Sequence, residues 1–225
     1  ILRWGDPVVK GAPEFDPMNQ TAAAQRRQFG YNNDYVVFVP LPYGTEASDR
    51  GLLCVNHAFT SDPVMLPGIA GKDPREVLTR EQVDVTMAAH GGSIVEIRRD
   101  GDGNWRPVPD SDFNRRITAL DTPMEIAGPA AHHPRMRTGE DPVGGTVIGT
   151  FNNCAGGITP WGTYLMAEEN VNMYCMGDPE GHPEADKLKR MGIPTTMYGW
   201  GRFHKRFDIS QEPNEPNRFG WVVEV

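Results

Sequence analysis

Ser93-Ile94-Val95-Glu96-Ile97-Arg98, then Asp100-Gly101-Asp102-Gly103-Asn104, then Trp105-Arg106-Pro107-Val108 read as strand, turn and strand, the clearest hairpin in the chain. The Asp-x-Asp-x-Asn spacing also resembles the start of a calcium loop. Its twelfth position is Ser111 where such a loop needs Glu, so the plain turn is the better reading. Just upstream, Thr79-Arg80-Glu81-Gln82 has the form of a capping box and predicts a helix from Arg80 to His90, ended by Gly91-Gly92. Further upstream, Tyr35–Val39 is β-branched and aromatic and stops at Pro40 and Pro42, and Gly51–Phe59 reads as its hairpin partner across Gly44–Asp49. Downstream, Thr146–Phe151 and Thr163–Ala167 are expected strands. Met176–Lys189 reads as a surface insertion or short helix, and Arg202–Asp208 and Phe219–Val225 close the chain. A short helix is also expected within Asn19–Arg27. Short strands separated by turns predict an all-β architecture, whether sandwich, barrel or propeller, with no repeat at 20–50 residues to select the last.

Composition agrees. The 25 glycines and 20 prolines make up a fifth of the 225 residues, against roughly 12% in ordinary proteins, which excludes a helix bundle or coiled coil. The net charge of −8 argues against nucleic acid as a specific partner, because phosphate-backbone binding rests on an excess of Lys and Arg. It leaves room for a phosphate ester held through bound cations. Apolar runs such as Tyr35–Leu41 and Gly51–Val55 are too short to span a membrane. The three cysteines, Cys54, Cys154 and Cys175, fit no zinc-finger spacing. No composition break divides residues 1–225. The start at Ile1 and the stop inside the strand-like run Gly220–Val225 read as a piece of a longer protein.

Four stretches could carry chemistry. In Asn152-Asn153-Cys154-Ala155-Gly156-Gly157, a Gly-rich loop can bring sulfur close to a ligand, and Glu168-Glu169 follows the next strand. Alternation sends these acids to opposite faces, Glu168 with Tyr164 and Met166, Glu169 with Leu165 and Ala167. Thiolate with carboxylate suits a transition metal, whereas carboxylates and carbonyls suit calcium or magnesium. The alternative is a structural cysteine beside a solvated acidic strand end. In a simple hairpin of the two expected strands, Cys154 and Glu169 would sit at opposite edges, about 17 Å apart. Asn56-His57 ends a strand and offers a ligand, a phosphate contact or an ordinary hydrogen-bonded pair. Glu212–Trp221 holds Glu215 and Arg218 in a proline-stiffened stretch, either as oxygen ligands for a hard cation or as a plain ion pair entering a strand. His132-His133 is the fourth, although adjacent histidines rarely bind one metal. No Gly-x-Ser-x-Gly elbow, Walker loop or His-Glu-x-x-His helix is present.

Taken in order, Trp4-Gly5-Asp6-Pro7-Val8, Phe29–Tyr35, Val55-Asn56-His57, His90-Gly91-Gly92-Ser93, Asn152–Gly157, Thr159–Thr163, Glu168-Glu169-Asn170 and Asn214–Trp221 resemble the PhoX-type alkaline phosphatases along the whole chain from Trp4. The resemblance implies the amino-terminal part of a larger β-propeller with long loops and a minor helical insertion. It implies a secreted or periplasmic bacterial phosphomonoesterase, exported folded by a signal outside this chain, monomeric and acting on small phosphate monoesters. It also implies an iron–calcium cluster at the propeller centre, with Cys154 as an iron ligand, Glu169 as the iron-ligating acid of its pair, Glu168 as the other acid, and Glu215 as the ligand of the last motif. His57, Asn56 and Arg218 would contact phosphate or support the metal ligands. A central site would answer the strand-edge distance, because loops can bend inward there. Two positions depart from the family pattern: Ala58 replaces an acid that follows Asn-His, and Val171–Cys175 replaces a Gly-aromatic run. Further acidic and phosphate-binding residues would lie beyond Val225. Two other readings compete, a non-catalytic calcium-stabilised β domain for surface binding and a calcium-dependent propeller lactonase or esterase without iron.

Overall fold

The computed structural model describes residues 1–194 and 197–225. Its strands in chain order are β1 (Asn33–Pro40), β2 (Arg50–His57), β3 (Gly91–Arg99), β4 (Trp105–Pro107), β5 (Arg115–Ile117), β6 (Pro123–Glu125), β7 (Thr146–Ile148), β8 (Asn153–Ile158), β9 (Tyr164–Glu168) and β10 (Val222–Glu224). They form a five-stranded sheet in which β1, β2, β3 and β4 lie side by side and β5 shares the outer edge of β3. A three-stranded sheet, β10-β9-β8, and the pair β6-β7 complete the set. The chain is thus mostly strands with few helices, as its turn-rich sequence predicts.

The long hairpin β1-β2 is antiparallel, with Val37 opposite Cys54 and Val39 opposite Leu52. β2 pairs along all of β3, from His57↔Gly91 to Arg50↔Arg98. Because side chains alternate across a strand, β1–β3 bury both faces. Val39, Cys54 and Ile94 meet Tyr164 and Met166 of β9 on one side. Val55, Val95 and Ile97 meet Val8 and Phe29 from the amino-terminal segment on the other. Two sheets therefore stack, and the stacking brings the β8-β9 hairpin over β1 and β2.

The capping box forms as predicted: the Thr79 hydroxyl accepts from Gln82 N–H and the Gln82 side chain accepts from Thr79 N–H. The helix Arg80–Ala89 buries Val83, Val85, Met87, Ala88 and Ala89. Beyond it, His90 is fully buried, with Nδ1 2.7 Å from Thr86 O and Nε2 2.9 Å from the Tyr174 hydroxyl. Burial lowers its pKa to about 4, so the ring is neutral at neutral pH and links the helix end to an aromatic core. In that core Phe151 and Tyr174 ring centroids are 4.4 Å apart, Tyr174 and Tyr198 stack at 4.6 Å, and Trp200 meets Phe207 at 5.0 Å. No helix among the described residues is long and apolar enough to cross a membrane.

Several boundaries differ from expectation. The Thr146–Phe151 strand is only β7, Thr146–Ile148, and pairs with β6 rather than with β9. The partner of β9 is β8, within the stretch that reads as a Gly-rich loop. Arg202–Asp208 forms part of two 3-10 turns, Trp200–Arg202 and Lys205–Phe207. The polar Met176–Lys189 insertion contributes to one short helix, Ala185–Arg190. The Asp100 turn is a plain one: Asp100 Oδ1 accepts from Asp102 and Asn104 N–H.

Candidate metal centre

Cys154 lies in a β-bulge. Asn153 faces Glu168 and Gly156 faces Met166, so Cys154 and Ala155 on β8 oppose Ala167 alone on β9. One step beyond, Glu169 N–H donates to Asn152 O at 3.0 Å. Cysteine and acids therefore share one end of the hairpin. The expected separation of about 17 Å came from assigning the wrong first strand, and no inward-bending loop is needed to remove it. The bulge lies against β1 because Gly156 has no side chain. A Cβ there would stand 2.3 Å from the Tyr35 ring and 2.9 Å from Leu165 O.

The half-buried Cys154 thiol lies within the influence of the Asp34 and Glu169 carboxylates. The two acids, Asp34 foremost, together with partial desolvation push its pKa up to about 11. A neutral thiol is the favoured state without a cation, since a thiolate beside two carboxylates would be repelled. A bound cation would reverse that preference, and sulfur with oxygen is a donor combination that suits transition metals. Two carboxamide oxygens just before the cysteine in sequence, Asn152 Oδ1 and Asn153 Oδ1, are buried without a hydrogen-bond donor, and the Asn153 amide is directed to Thr150 Oγ1 on the Glu168 side. A thiol near two carboxylates has the donor chemistry that the iron and calcium implied by the resemblance would need. Among the described residues, no three His, Cys, Asp or Glu side chains stand close enough together to hold a metal ion by themselves.

Alternation separates Glu168 from Glu169 as expected. Glu169 is exposed beside the thiol, whereas both oxygens of Glu168 are engaged elsewhere. Glu168 Oε1 accepts from Thr150 Oγ1 at 2.5 Å, and Oε2 accepts from Gly220 and Trp221 N–H at 2.8 and 3.3 Å. Its carboxylate is enclosed, and burial raises its pKa despite these bonds. Glu168 thus fastens the start of β8 to the approach of β10.

Glu215 lies between two arginines, 3.2 Å from Arg218 Nε and 3.6 Å from Arg206 Nη1. Both arginines are buried and donate to backbone carbonyls, Arg206 to Ile148 O and Ala119 O, Arg218 to Met136 O and Thr146 O. The structure therefore pairs Glu215 and Arg218 as an ion pair. Both line a cavity of about 390 Å³ with Arg206, Glu140, Asp141 and Glu212. His57 is fully buried: its Nε2 lies 2.7 Å from Ser93 Oγ and accepts from Gly30 N–H, and its ring meets Phe29 edge-on. Burial, reinforced by the Arg116 charge, depresses its pKa well below the usual imidazole value. Asn56 is also fully buried, and its amide donates to Cys154 O at 2.9 Å and Ala155 O at 3.0 Å. His133 caps a 3-10 turn and His132 lines a separate cavity with Asp141, so the pair forms no common site. Ala58 is buried. Val171–Tyr174 forms a 3-10 turn that places Tyr174 in the aromatic core.

Asp34 is the residue that sequence reasoning passed over. It lies in the quoted stretch Asn32-Asn33-Asp34-Tyr35, but nothing local to it points to sulfur. Only the approach of β8 to β1 brings the two together.

Fold and site together define a mostly-β chain with a partly exposed thiol near two carboxylates. The family model described as "Alkaline phosphatase PhoX" matches residues 1–225, and the chain belongs to the PhoX alkaline phosphatase family. Among solved structures, "Pseudomonas fluorescens PhoX in complex with vanadate, a transition state analogue" is 40% identical, with a TM-score of 0.89 over 100% of this chain. The chain spans 37% of that protein's length. A search of curated proteins finds no match.

Proposed function

We propose that this chain forms part of a metal-dependent phosphomonoesterase in which Cys154 and Glu169 help to hold an iron–calcium cluster. The observation that carries this reading is the Cys154 thiol placed between Asp34 and Glu169, in a chain matched throughout by the PhoX family. The similar Pseudomonas protein is described with vanadate as a transition state analogue, which agrees with phosphoryl transfer to water. A β-propeller completed by further chain, and a periplasmic or secreted setting, belong to the same reading.

Cys154 would serve as a thiolate, giving up its proton when the metal binds. Glu169 and Asp34 would become oxygen ligands or acceptors for a metal-associated proton. When bound, the metals would neutralise the phosphate oxygens and stabilise charge developing during in-line displacement. This chain's arginines near the candidate residues would contribute scaffold rather than phosphate binding, because Arg206 and Arg218 already donate to carbonyls. With a net charge of −8, attraction of an ester dianion would rest on the bound cations.

The test is iron and calcium content together with hydrolysis of p-nitrophenyl phosphate, in full-length protein and its Cys154→Ala variant. Iron and activity should fall together. Full activity in a metal-replete Cys154→Ala protein would overturn the reading. Calcium without iron or phosphatase activity in the unsubstituted protein would favour a binding domain or lactonase.

A further inference from the structure

Asn56 is the polar side chain through which the five-stranded sheet grips the bulge. It sits on β2 facing β8, and every polar atom of its amide has a partner within the protein. Nδ2 donates to Cys154 O and Ala155 O, the two carbonyls of the bulge itself, at 2.9 and 3.0 Å. Oδ1 accepts from the Tyr164 hydroxyl, which comes from β9, the other strand of the hairpin. Both side chains are buried, Asn56 at 0% and Tyr164 at 3% exposure. Tyr164 is itself held by near-parallel stacking with Tyr35, at a centroid distance of 6.3 Å.

A bulge is the softest part of a strand pair, because its residues lack regular ladder partners. Left to itself, the Cys154–Ala155 segment could rotate and carry the thiol away from Asp34. Asn56 removes that freedom by tying both carbonyls to a strand that is paired on both edges. Tyr164 in turn fixes which way the Asn56 amide faces: with its oxygen bound to a hydroxyl donor, its nitrogen must point at the bulge.

We infer that Asn56 and Tyr164 are positioning residues that hold the Cys154 bulge so that its sulfur faces Asp34 and Glu169, and that metal capture depends on this clamp. The second half of the inference rests on the proposed metal-dependent function; the first half rests on geometry alone. The polar atoms of both side chains are spent on each other and on the bulge carbonyls. They act on the direction of the sulfur, in the way that supports around metal ligands commonly alter affinity by 10–100-fold.

The experiment uses full-length protein with Asn56→Ala, Tyr164→Phe, the double substitution, and Val55→Ala as a control. Val55 neighbours Asn56 on β2 but packs on the opposite face with Val8 and Phe29. Two quantities are read: iron affinity with its thiolate-to-iron absorption band, and the rate at which iodoacetamide alkylates Cys154 after chelation. Cys54 and Cys175 are buried at 3% and 4% exposure, so Cys154 is the accessible thiol. Asn56→Ala should lower iron affinity about 10–100-fold and shift the band. Tyr164→Phe should do so less, and the double variant should match Asn56→Ala, since Tyr164 acts through Asn56. Val55→Ala should lower stability and leave the band in place.

An unchanged band and affinity in folded Asn56→Ala, strictly additive effects in the double variant, or an equal loss in Val55→Ala would overturn the clamp. If the unsubstituted protein neither binds iron nor hydrolyses phosphate esters, the functional reading fails on its own. Alkylation then still decides the geometric half. A rate several-fold above the unsubstituted protein in Asn56→Ala, as the thiol moves away from the two carboxylates that keep it protonated, supports the clamp, and equal rates refute it. Should Asn56→Ala fail to fold, Tyr164→Phe carries the same two readouts.

Discussion

Glu168 and Glu169 are neighbours in sequence with opposite work to do, and replacing each by alanine separates them. Glu168→Ala removes an acceptor shared by the Thr150 hydroxyl at 2.5 Å and two backbone N–H groups at 2.8 and 3.3 Å. Hydrogen bonds to a charged group contribute about 1.5–3 kcal/mol each, and less when long. The loss also propagates, because Thr150 Oγ1 accepts from Asn153 Nδ2 at 2.9 Å, next to Cys154. Against this stands the cost of enclosing the carboxylate, visible in its raised pKa. The net expectation is about 3 kcal/mol of lost stability, read as a lower midpoint in urea unfolding at neutral pH with unchanged slope. Glu169 is exposed and its side chain makes no such junction, so Glu169→Ala should stay within about 0.5 kcal/mol while iron content drops. Two results would refute the reasoning: Glu169→Ala destabilising as much as Glu168→Ala while keeping its iron, or Glu168→Ala keeping full stability.

Asp62 is buried, and desolvation raises its pKa from 3.8 to about 6. A carboxyl raised on folding stabilises most below its unfolded value, and that contribution is lost as pH climbs through about 6, worth roughly 3 kcal/mol. Asp62→Asn should therefore be more stable than the parent at pH 7.5 and lose that advantage towards pH 4; a pH-independent difference in unfolding free energy would contradict this. Arg218→Ala leaves Glu215 with the more distant Arg206 and strips donors from Met136 O and Thr146 O, so a loss of about 3–5 kcal/mol is expected in denaturant unfolding. Wild-type stability in Arg218→Ala would show that the pair is not structural. Trp200→Ala opens the aromatic core where Trp200 meets Tyr174 and Phe207, for about 3–5 kcal/mol, measured in the same way.

Much of the fold is legible locally. The Thr79–Gln82 capping box, the Asp100–Asn104 turn and the β1-β2 hairpin form as their sequences predict, because hydrogen bonds between near neighbours fix them. β8 is different. Ala155-Gly156-Gly157 has almost no intrinsic preference for a strand, and becomes one because β9 supplies partners and Tyr35 leaves room only for a glycine. The aromatic core likewise gathers Phe151, Tyr174, Trp200 and Phe207 from segments that show no shared pattern in sequence.

The site divides in the same way. By itself the sequence determined that Cys154 and a neighbouring acid pair deserved suspicion, that Glu168 and Glu169 point apart, and that the motifs resemble one phosphatase family. Strand alternation and residue chemistry are enough for that. Only the tertiary structure decided that Glu169 stays beside the sulfur while Glu168 becomes a fastening, that Asp34 joins them, and that Glu215 is held by two arginines. Those outcomes depend on which strands stack and how closely, which is set by packing between distant segments such as β1 and β8 rather than by any local run of residues.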